Sequence, residues 1–424
     1  MLAVVILASF GAACENNHDE SGGKPGVREL AVWAHTGQID ERRTLEKQVT
    51  RFNESQDNIR INLTILPEGS YNAQIQSAAL AGDFPDVLEF DGPFIYNYVW
   101  QGHLIPLDGL ISEKTKNDLL TSIIRQGEYQ GHLYSVGTFD SGLGIYGRKS
   151  VLERAGIRIP RTSQDAWSVE EFEKVLRLLA RDDKDGAVLD LKFNYRGEWY
   201  TYAFSPILQS AGGDLIDRTD YQSADGVLNS SESVSALREL QSWIKKGYVD
   251  PNIDDAAFIQ GRVVLSWAGH WEYHRYAEAF GDDLLILPLP DFGKGSRSGQ
   301  GSWNWGITTN CSDSRAAMRF LEFLLQPNEV LAMSNANGAV PATYTAINMS
   351  PLYGKQGPLR LFVEQLESSS VPRPQTPAYP VITSAFQNAF ADIRNGSDVK
   401  LSLNRAVAII DRDIRDNKGY PQLP

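Results

Sequence analysis

The chain has 424 residues, with 40 Lys+Arg against 53 Asp+Glu and a formal net charge of −13. With 42% apolar and 22% charged residues it has ordinary globular composition, and it is long enough for two domains or one large two-lobed body. The acidic balance argues against a nucleic-acid binder, which needs clustered Lys and Arg, and two cysteines, Cys14 and Cys311, are too few for a disulfide framework.

Leu2 to Ala13 carries no charge and is followed by Cys14. A membrane span takes about 20 apolar residues, so this run is too short to cross and reads as a secretory signal over 1–13. Gly11-Ala12-Ala13 before Cys14 resembles a bacterial lipobox, in which the cysteine is lipidated and becomes the new N-terminus. A plain signal peptide with an incidental cysteine is the alternative. Residues 14–27 are polar and Gly/Ser-containing, a spacer suited to a lipid-anchored protein that works outside the cytoplasm.

The chain then reads β-α-β-α-β. Leu30 to Trp33 is a short apolar run, and Leu45, Val49 and Phe52 recur on one helical face. Ile59, Ile61, Leu63 and Ile65 alternate with polar residues as a half-buried strand does. Ile75, Ala78 and Ala79 mark a helix that stops at Gly82, and Asp86 to Phe90 is the next strand. Such alternation predicts a parallel sheet with helices on both faces. Further on, Ser168-Val169-Glu170-Glu171 is a capping box opening a helix whose buried face is Phe172, Val175, Leu176 and Leu179. Val263 to Trp267 and Leu284 to Leu287 read as strands; helices are expected from about Ser314 to Leu325, before Pro327, and from about Leu401 to Ile414.

Few motifs suggest covalent chemistry. Gly142-Leu143-Gly144-Ile145-Tyr146-Gly147 matches a dinucleotide pattern, but it lies outside the first βαβ unit and a Tyr beside the glycines would crowd a pyrophosphate. Asp182 to Gly186 hints at a calcium loop, yet Arg181 and Lys192 occupy the first and twelfth positions of that frame, where carboxylates are required. His270 and His274 share a helical face at zinc-ligand spacing, without a nearby Cys. Cys311 reads as a small buried apolar residue. A hydrolytic carboxylate pair, drawing on Asp91 or Asp140, is compatible with composition. Aromatic residues in polar, Gly-rich settings are the more informative feature: Trp271 and Tyr273 after Gly269, Trp303 and Trp305 after Gly301, Trp199 and Tyr202 after Gly197. Indole rings can cover the C–H faces of a pyranose while Asp, Glu, Asn and Arg take its hydroxyls. Trp167 and Trp243, in amphipathic patterns, read as core.

The order of short motifs resembles bacterial extracellular solute-binding proteins of family 1, the sugar-binding lipoproteins of ABC importers, among them trehalose/maltose and α-glucoside binders. The matching residues are Val32-Trp33, Phe52-Asn53, Ala81-Gly82-Asp83-Phe84-Pro85-Asp86-Val87, and Gly102-His103-Leu104-Ile105-Pro106-Leu107-Asp108. Tyr146 to Gly156 with Pro160, Gly269-His270-Trp271, Trp303 with Gly306, Phe320 to Leu324, Pro341-Ala342 and Arg373-Pro374-Gln375-Thr376-Pro377 continue the series. The resemblance implies an α/β, two-lobed periplasmic-binding-protein fold with a multi-strand hinge and a ligand cleft between the lobes. Lobe 1 is expected to take 28–140 plus about 303–340, and lobe 2 about 141–302 plus about 341–424.

That resemblance also implies a function: a receptor, not an enzyme, delivering a di- or oligosaccharide to the permease subunits of an ABC importer. It implies no cofactor, a monomer, and membrane attachment through the lipid on Cys14 alone. Residue by residue, the positions matching sugar contacts are Glu41, Asp91, Asp140, Trp271, Tyr273, Trp303 and Arg373. A secreted carbohydrate-active hydrolase built on a carboxylate pair is the alternative.

Overall fold

The structure, a computed structural model, describes residues 26–421. The expected signal segment, Cys14 and nearly all of the 14–27 spacer lie outside the described residues.

The first apolar run becomes β1 (Arg28–His35), and the Leu45/Val49/Phe52 face becomes the buried side of α1 (Ile39–Glu54). The alternating segment forms β2 (Ile59–Leu66); α2 (Tyr71–Ala81) ends at Gly82, whose φ of +69° is a left-handed cap. β3 (Val87–Asp91) completes the unit. β1 pairs in parallel with β2 from Arg28↔Ile59 to His35↔Leu66, and with β3 at Val32↔Val87. A later strand, Trp303–Ile307, joins β3 antiparallel with Trp303 opposite Asp91, and Ser135–Val136 forms the far edge. Two parallel strands thus deliver their carboxyl ends, His35 and Asp91, to the edge where the antiparallel strand begins with Trp303. That geometry builds one wall of a site.

A second sheet has the order Leu284–Leu287, Leu143–Arg148, Leu265–Gly269, Leu189–Asp190. Its central pair is antiparallel, with Gly269 opposite Leu143, while Leu265–Gly269 runs parallel to Leu189–Asp190. Both sheets are therefore mixed rather than purely parallel as alternation suggested. The consequence at the edge is similar: the strand Leu189–Asp190 ends opposite Ser266 and releases Lys192, while Leu265–Gly269 runs three residues further and releases Trp271. The glycines of the dinucleotide-like run are explained by packing: a Cβ on Gly142 would come within 2.9 Å of the Phe362 ring, and one on Gly144 within 3.0 Å of the Leu287 carbonyl.

Each sheet has its own apolar core. One cluster holds Leu30, Val32, Leu45, Phe52, Trp305 and Phe320; another holds Leu143, Leu176, Phe204, Trp243, Trp267 and Phe386. Among the described residues the chain passes between them near 139–143, 289–305 and 363–378. Ala342, Ala346, Ile347, Tyr353, Phe362 and Val363 belong to the first core, so the return to the second comes after Ser369, not near 341. The helices Tyr344–Met349 and Arg360–Ser368 carry apolar faces that either lobe could bury, which is why their allegiance was not legible locally.

Capping follows the sequence. Ser168 and Glu171 form the reciprocal box of the helix Val169–Asp182, Asp313 caps Ser314–Leu324, and Asp398 caps Val399–Asp416. Trp167 and Trp243 are buried as expected, with Trp243 edge-on to Phe172 at 5.1 Å. Cys311 is only partly buried, against the first core. Trp199, Tyr202 and Trp305, which the sequence places in polar, Gly-rich settings, are also buried. Trp243→Ala should destabilise the protein by about 3–5 kcal/mol, seen as a lower Tm, and leave ligand affinity of the folded fraction unchanged.

Candidate functional site

The first wall centres on His35. Its ring lies flat on Trp303, 3.6 Å between centroids and 2° from parallel, and Tyr71 meets Trp303 edge-on at 5.4 Å. Nδ1 of His35 is 2.7 Å from Glu89, whose carboxylate also accepts the His35 backbone N–H at 3.0 Å; Nε2 is 3.9 Å from Glu41. Burial opposes a charge on this imidazole, but the adjacent Glu89 carboxylate and then Glu41 outweigh it and raise the pKa to about 9. The imidazolium so formed is stacked on an indole face, a favourable cation–π arrangement. Glu41, in the first turn of α1, accepts from the Gln38 backbone N–H at 3.2 Å and the Asn337 amide at 3.3 Å, and burial shifts its pKa upward.

The second wall follows Gly269. Trp271 packs on the second core with Trp199 edge-on at 5.9 Å, and its indole N–H donates to the Tyr195 hydroxyl at 3.2 Å. A Cβ on Gly269 would lie 2.1 Å from the Trp271 ring, so only glycine admits this ring position. The two walls touch: the Gln38 side-chain amide donates to the Trp271 carbonyl at 3.1 Å, and His270 Nδ1 lies 3.2 Å from the Asn337 carbonyl. Tyr273, half-buried, rests against the first core from the second wall.

Arg373 joins both bodies. It grips Asp91 through two nitrogens, at 2.8 and 2.6 Å, and reaches Glu198 at 3.0 Å; Glu198 also accepts from Thr383 at 2.8 Å and from Tyr379. Arg373 is 5% exposed. Arg373 and Asp91 are thus brought together as expected, but as a mutually satisfied ion pair rather than as free partners for a ligand. Asp140 departs further. It is fully buried, and its oxygens accept from Gln126 at 3.0 Å, Ser141 N–H at 2.8 Å and Gly301 N–H at 3.3 Å. Its oxygens are thus taken up within the fold, in the crossing strand Phe139–Asp140.

Glu41, Trp303, Asp91 and Arg373 are therefore linked, through His35 and the Trp303–Asp91 strand pair, along one edge that Gln38 connects to the Trp271 carbonyl, while Asp140 is buried. Surface cavities lined by Val169, Glu239 and Phe292, and by Phe193, Tyr200 and Arg394, include none of these residues. Sequence reasoning missed His35, Gln38, Glu89, Tyr195, Glu198 and Asn337. A charged residue within a buried β-run, as Glu89 is, carries a signal of its own; the others do not.

The His35 charge has a pH signature. Its folded-state pKa is raised, from 6.5 to about 9, so the stability it contributes is full below about 6.5 and is lost as pH rises through 9. The difference in unfolding free energy between wild type and His35→Gln, measured by chemical denaturation, should shrink across that window; a constant difference would contradict the charged pair.

Comparison with known proteins accords with this architecture. An uncharacterized lipoprotein in the oleD 5′ region of Streptomyces antibioticus is 20% identical over 365 residues, covering 83% of this chain and 78% of its own. The GacH receptor of Streptomyces glaucescens, solved unliganded and with acarbose, superposes with a TM-score of 0.76 at 20% identity, over 92% of this chain and 98% of that one. The cyclic alpha-maltosyl-1,6-maltose binding protein of Arthrobacter globiformis gives a TM-score of 0.75 at 23% identity, over 92% and 100%. These likenesses show the two-lobed α/β fold. Residues 47–356, well over half of the chain, match the family described as bacterial extracellular solute-binding protein. The chain belongs to that family, whose members are binding proteins and not enzymes.

Proposed function

We propose that the protein is an extracytoplasmic receptor for a di- or oligosaccharide, with an α-glucoside as the preferred class, which it delivers to the permease subunits of an ABC importer. The observation that carries the reading is the pairing of walls. Trp303 with His35, Glu41 and Glu89 stands at the strand ends of one lobe, and Trp271 with Tyr195 and Glu272 stands at the strand ends of the other. Ligands of open α/β sheets sit beyond the carboxyl ends of strands, and indole faces flanked by carboxylates and amides suit a ring with apolar faces and a hydroxyl rim. The solved relatives lean the same way, one holding acarbose and another named for a maltosyl-maltose.

In this proposal Trp271, Tyr273, Trp303 and Glu41 contact the sugar, while Arg373 and Asp91 hold the walls in register. Contacts made from both lobes favour the closed arrangement, so binding proceeds by closure about the crossing strands. A monomer tethered by lipid on Cys14 completes the proposal; a lipoprotein among the relatives supports the tether, and no helix among the described residues is long and apolar enough to cross a membrane. Multiple acyl chains on one cysteine give stable attachment where a single chain is marginal.

Isothermal titration against mono- and disaccharides, with maltose, trehalose and sucrose in the panel, tests this reading. Binding of at least one α-glucoside is expected, and Trp271→Ala should weaken it at least roughly tenfold when titrated well below its Tm. Failure of every sugar would remove the proposal. Normal affinity in a Trp271→Ala protein that unfolds earlier would move Trp271 into the core.

A further inference from the structure

Packing alone does not hold Trp271. Its indole N–H donates to the Tyr195 hydroxyl oxygen at 3.2 Å, and Tyr195 donates its single proton to Glu272 Oε1. A phenol has one proton to give, so the relay has one direction, from indole to phenol to carboxylate. Burial, and then the Glu272 charge, push the Tyr195 phenol well above the ordinary tyrosine range, and it remains a donor.

Glu272 is itself immobilised. Its Oε2 accepts two bonds from Arg275, at 3.1 and 2.6 Å, and its Oε1 lies 3.6 Å from the Lys192 ammonium. Lys192 has no exposed surface and also meets Asp255 at 2.8 Å and Asp190 at 3.3 Å; Arg275 reaches Asp255 at 2.8 Å. Were Glu272 to turn away from Tyr195, two cations, one of them fully enclosed, would lose a counter-charge, which is costly in a low-dielectric interior. The Lys192 backbone sits at φ +54°, a left-handed conformation uncommon for non-glycine residues, and its N–H is tied to Asp190 at 2.7 Å. Tyr195 also packs on the second core, edge-on to Trp199 at 5.2 Å, so its ring is held by packing and its hydroxyl by Glu272. Besides Asn194 on Asp255 and the Tyr276 ring under Lys192 and Arg275, the charged array reaches the Trp271 indole through Tyr195.

We infer that Tyr195 is a positioning residue of the ligand site, its hydroxyl aimed by Glu272 and the Lys192–Arg275 pair so as to fix the plane of the Trp271 ring before ligand arrives. The inference rests on the proposed stacking role of Trp271. It extends that role by naming the group that preorganises the ring, and an ordered ring loses less freedom on binding.

Tyr195→Phe removes one oxygen and keeps the phenyl contacts. In the ligand-free protein, one of the nine tryptophan indole N–H signals, assigned by its disappearance in Trp271→Phe, should move toward the free-indole position and broaden in Tyr195→Phe. Affinity for the sugar identified by titration should fall about fivefold, and in a Trp271→Phe background the same change should cost nothing further. An unmoved indole signal overturns the inference whether or not the protein binds sugar. A moved signal with unchanged affinity, or a loss that persists without Trp271, also overturns it. If wild type binds no sugar at all, the proposed function fails, and the indole signal still decides whether Tyr195 orders the ring.

Discussion

The three chain crossings meet at one buried cluster of charge. Asp140 on the first crossing accepts the backbone N–H of Gly301 on the second, at 3.3 Å. Gly301, at φ +120°, lies so close to Arg373 on the third that a Cβ there would be 3.0 Å from the guanidinium. Arg373 then spans from Asp91 at the end of β3 to Glu198 at the start of the helix Trp199–Ala211. Removing one partner from a buried pair typically costs about 3–5 kcal/mol, because the remaining charge is stranded. The cluster therefore ties the first lobe, the second lobe and the connecting strands together at one point.

Both walls are built in the same way. In each sheet a parallel pair ends beside the start of an antiparallel strand, so polar and aromatic side chains that follow the strand ends gather along one edge. His35, Asp91 and Trp303 gather on one side; Lys192, Trp271 and Glu272 gather on the other. The two sets differ in character. The first packs buried carboxylates, Glu89 and Glu41, around a stacked imidazolium, whereas the second joins Lys192, Arg275 and three carboxylates behind a ring.

Much of this was legible locally. The spacing of Leu45, Val49 and Phe52, the capping box at Ser168 and Glu171, and the glycine stop at Gly82 each report a backbone state decided within one or two turns. The motif order carried the family and the fold. What escaped depends on distant partners. Asp140 looks like a cleft carboxylate until Gly301, 161 positions away, is seen to bond it, and nothing near His35 announces Glu89, 54 positions away, at its side. Lys192 read only as a cation in a turn, because nothing near it announces three carboxylates. Local polarity misled at Trp199, Tyr202 and Trp305, which are buried: Gly306 beside Trp305 reflects close packing, with a Cβ there 3.0 Å from Leu104 and Phe90, and Gly197 before Trp199 serves a turn at φ +66°.

The central claim is that ligand is held between lobes whose connecting strands form a fixed pivot while the Trp271 and Trp303 walls move. Small-angle X-ray scattering of the protein with and without its saturating sugar measures this directly. The account predicts a smaller radius of gyration on binding, as two lobes close about the crossings. Full binding with an unchanged radius of gyration would contradict it and place the ligand outside the interface between the lobes.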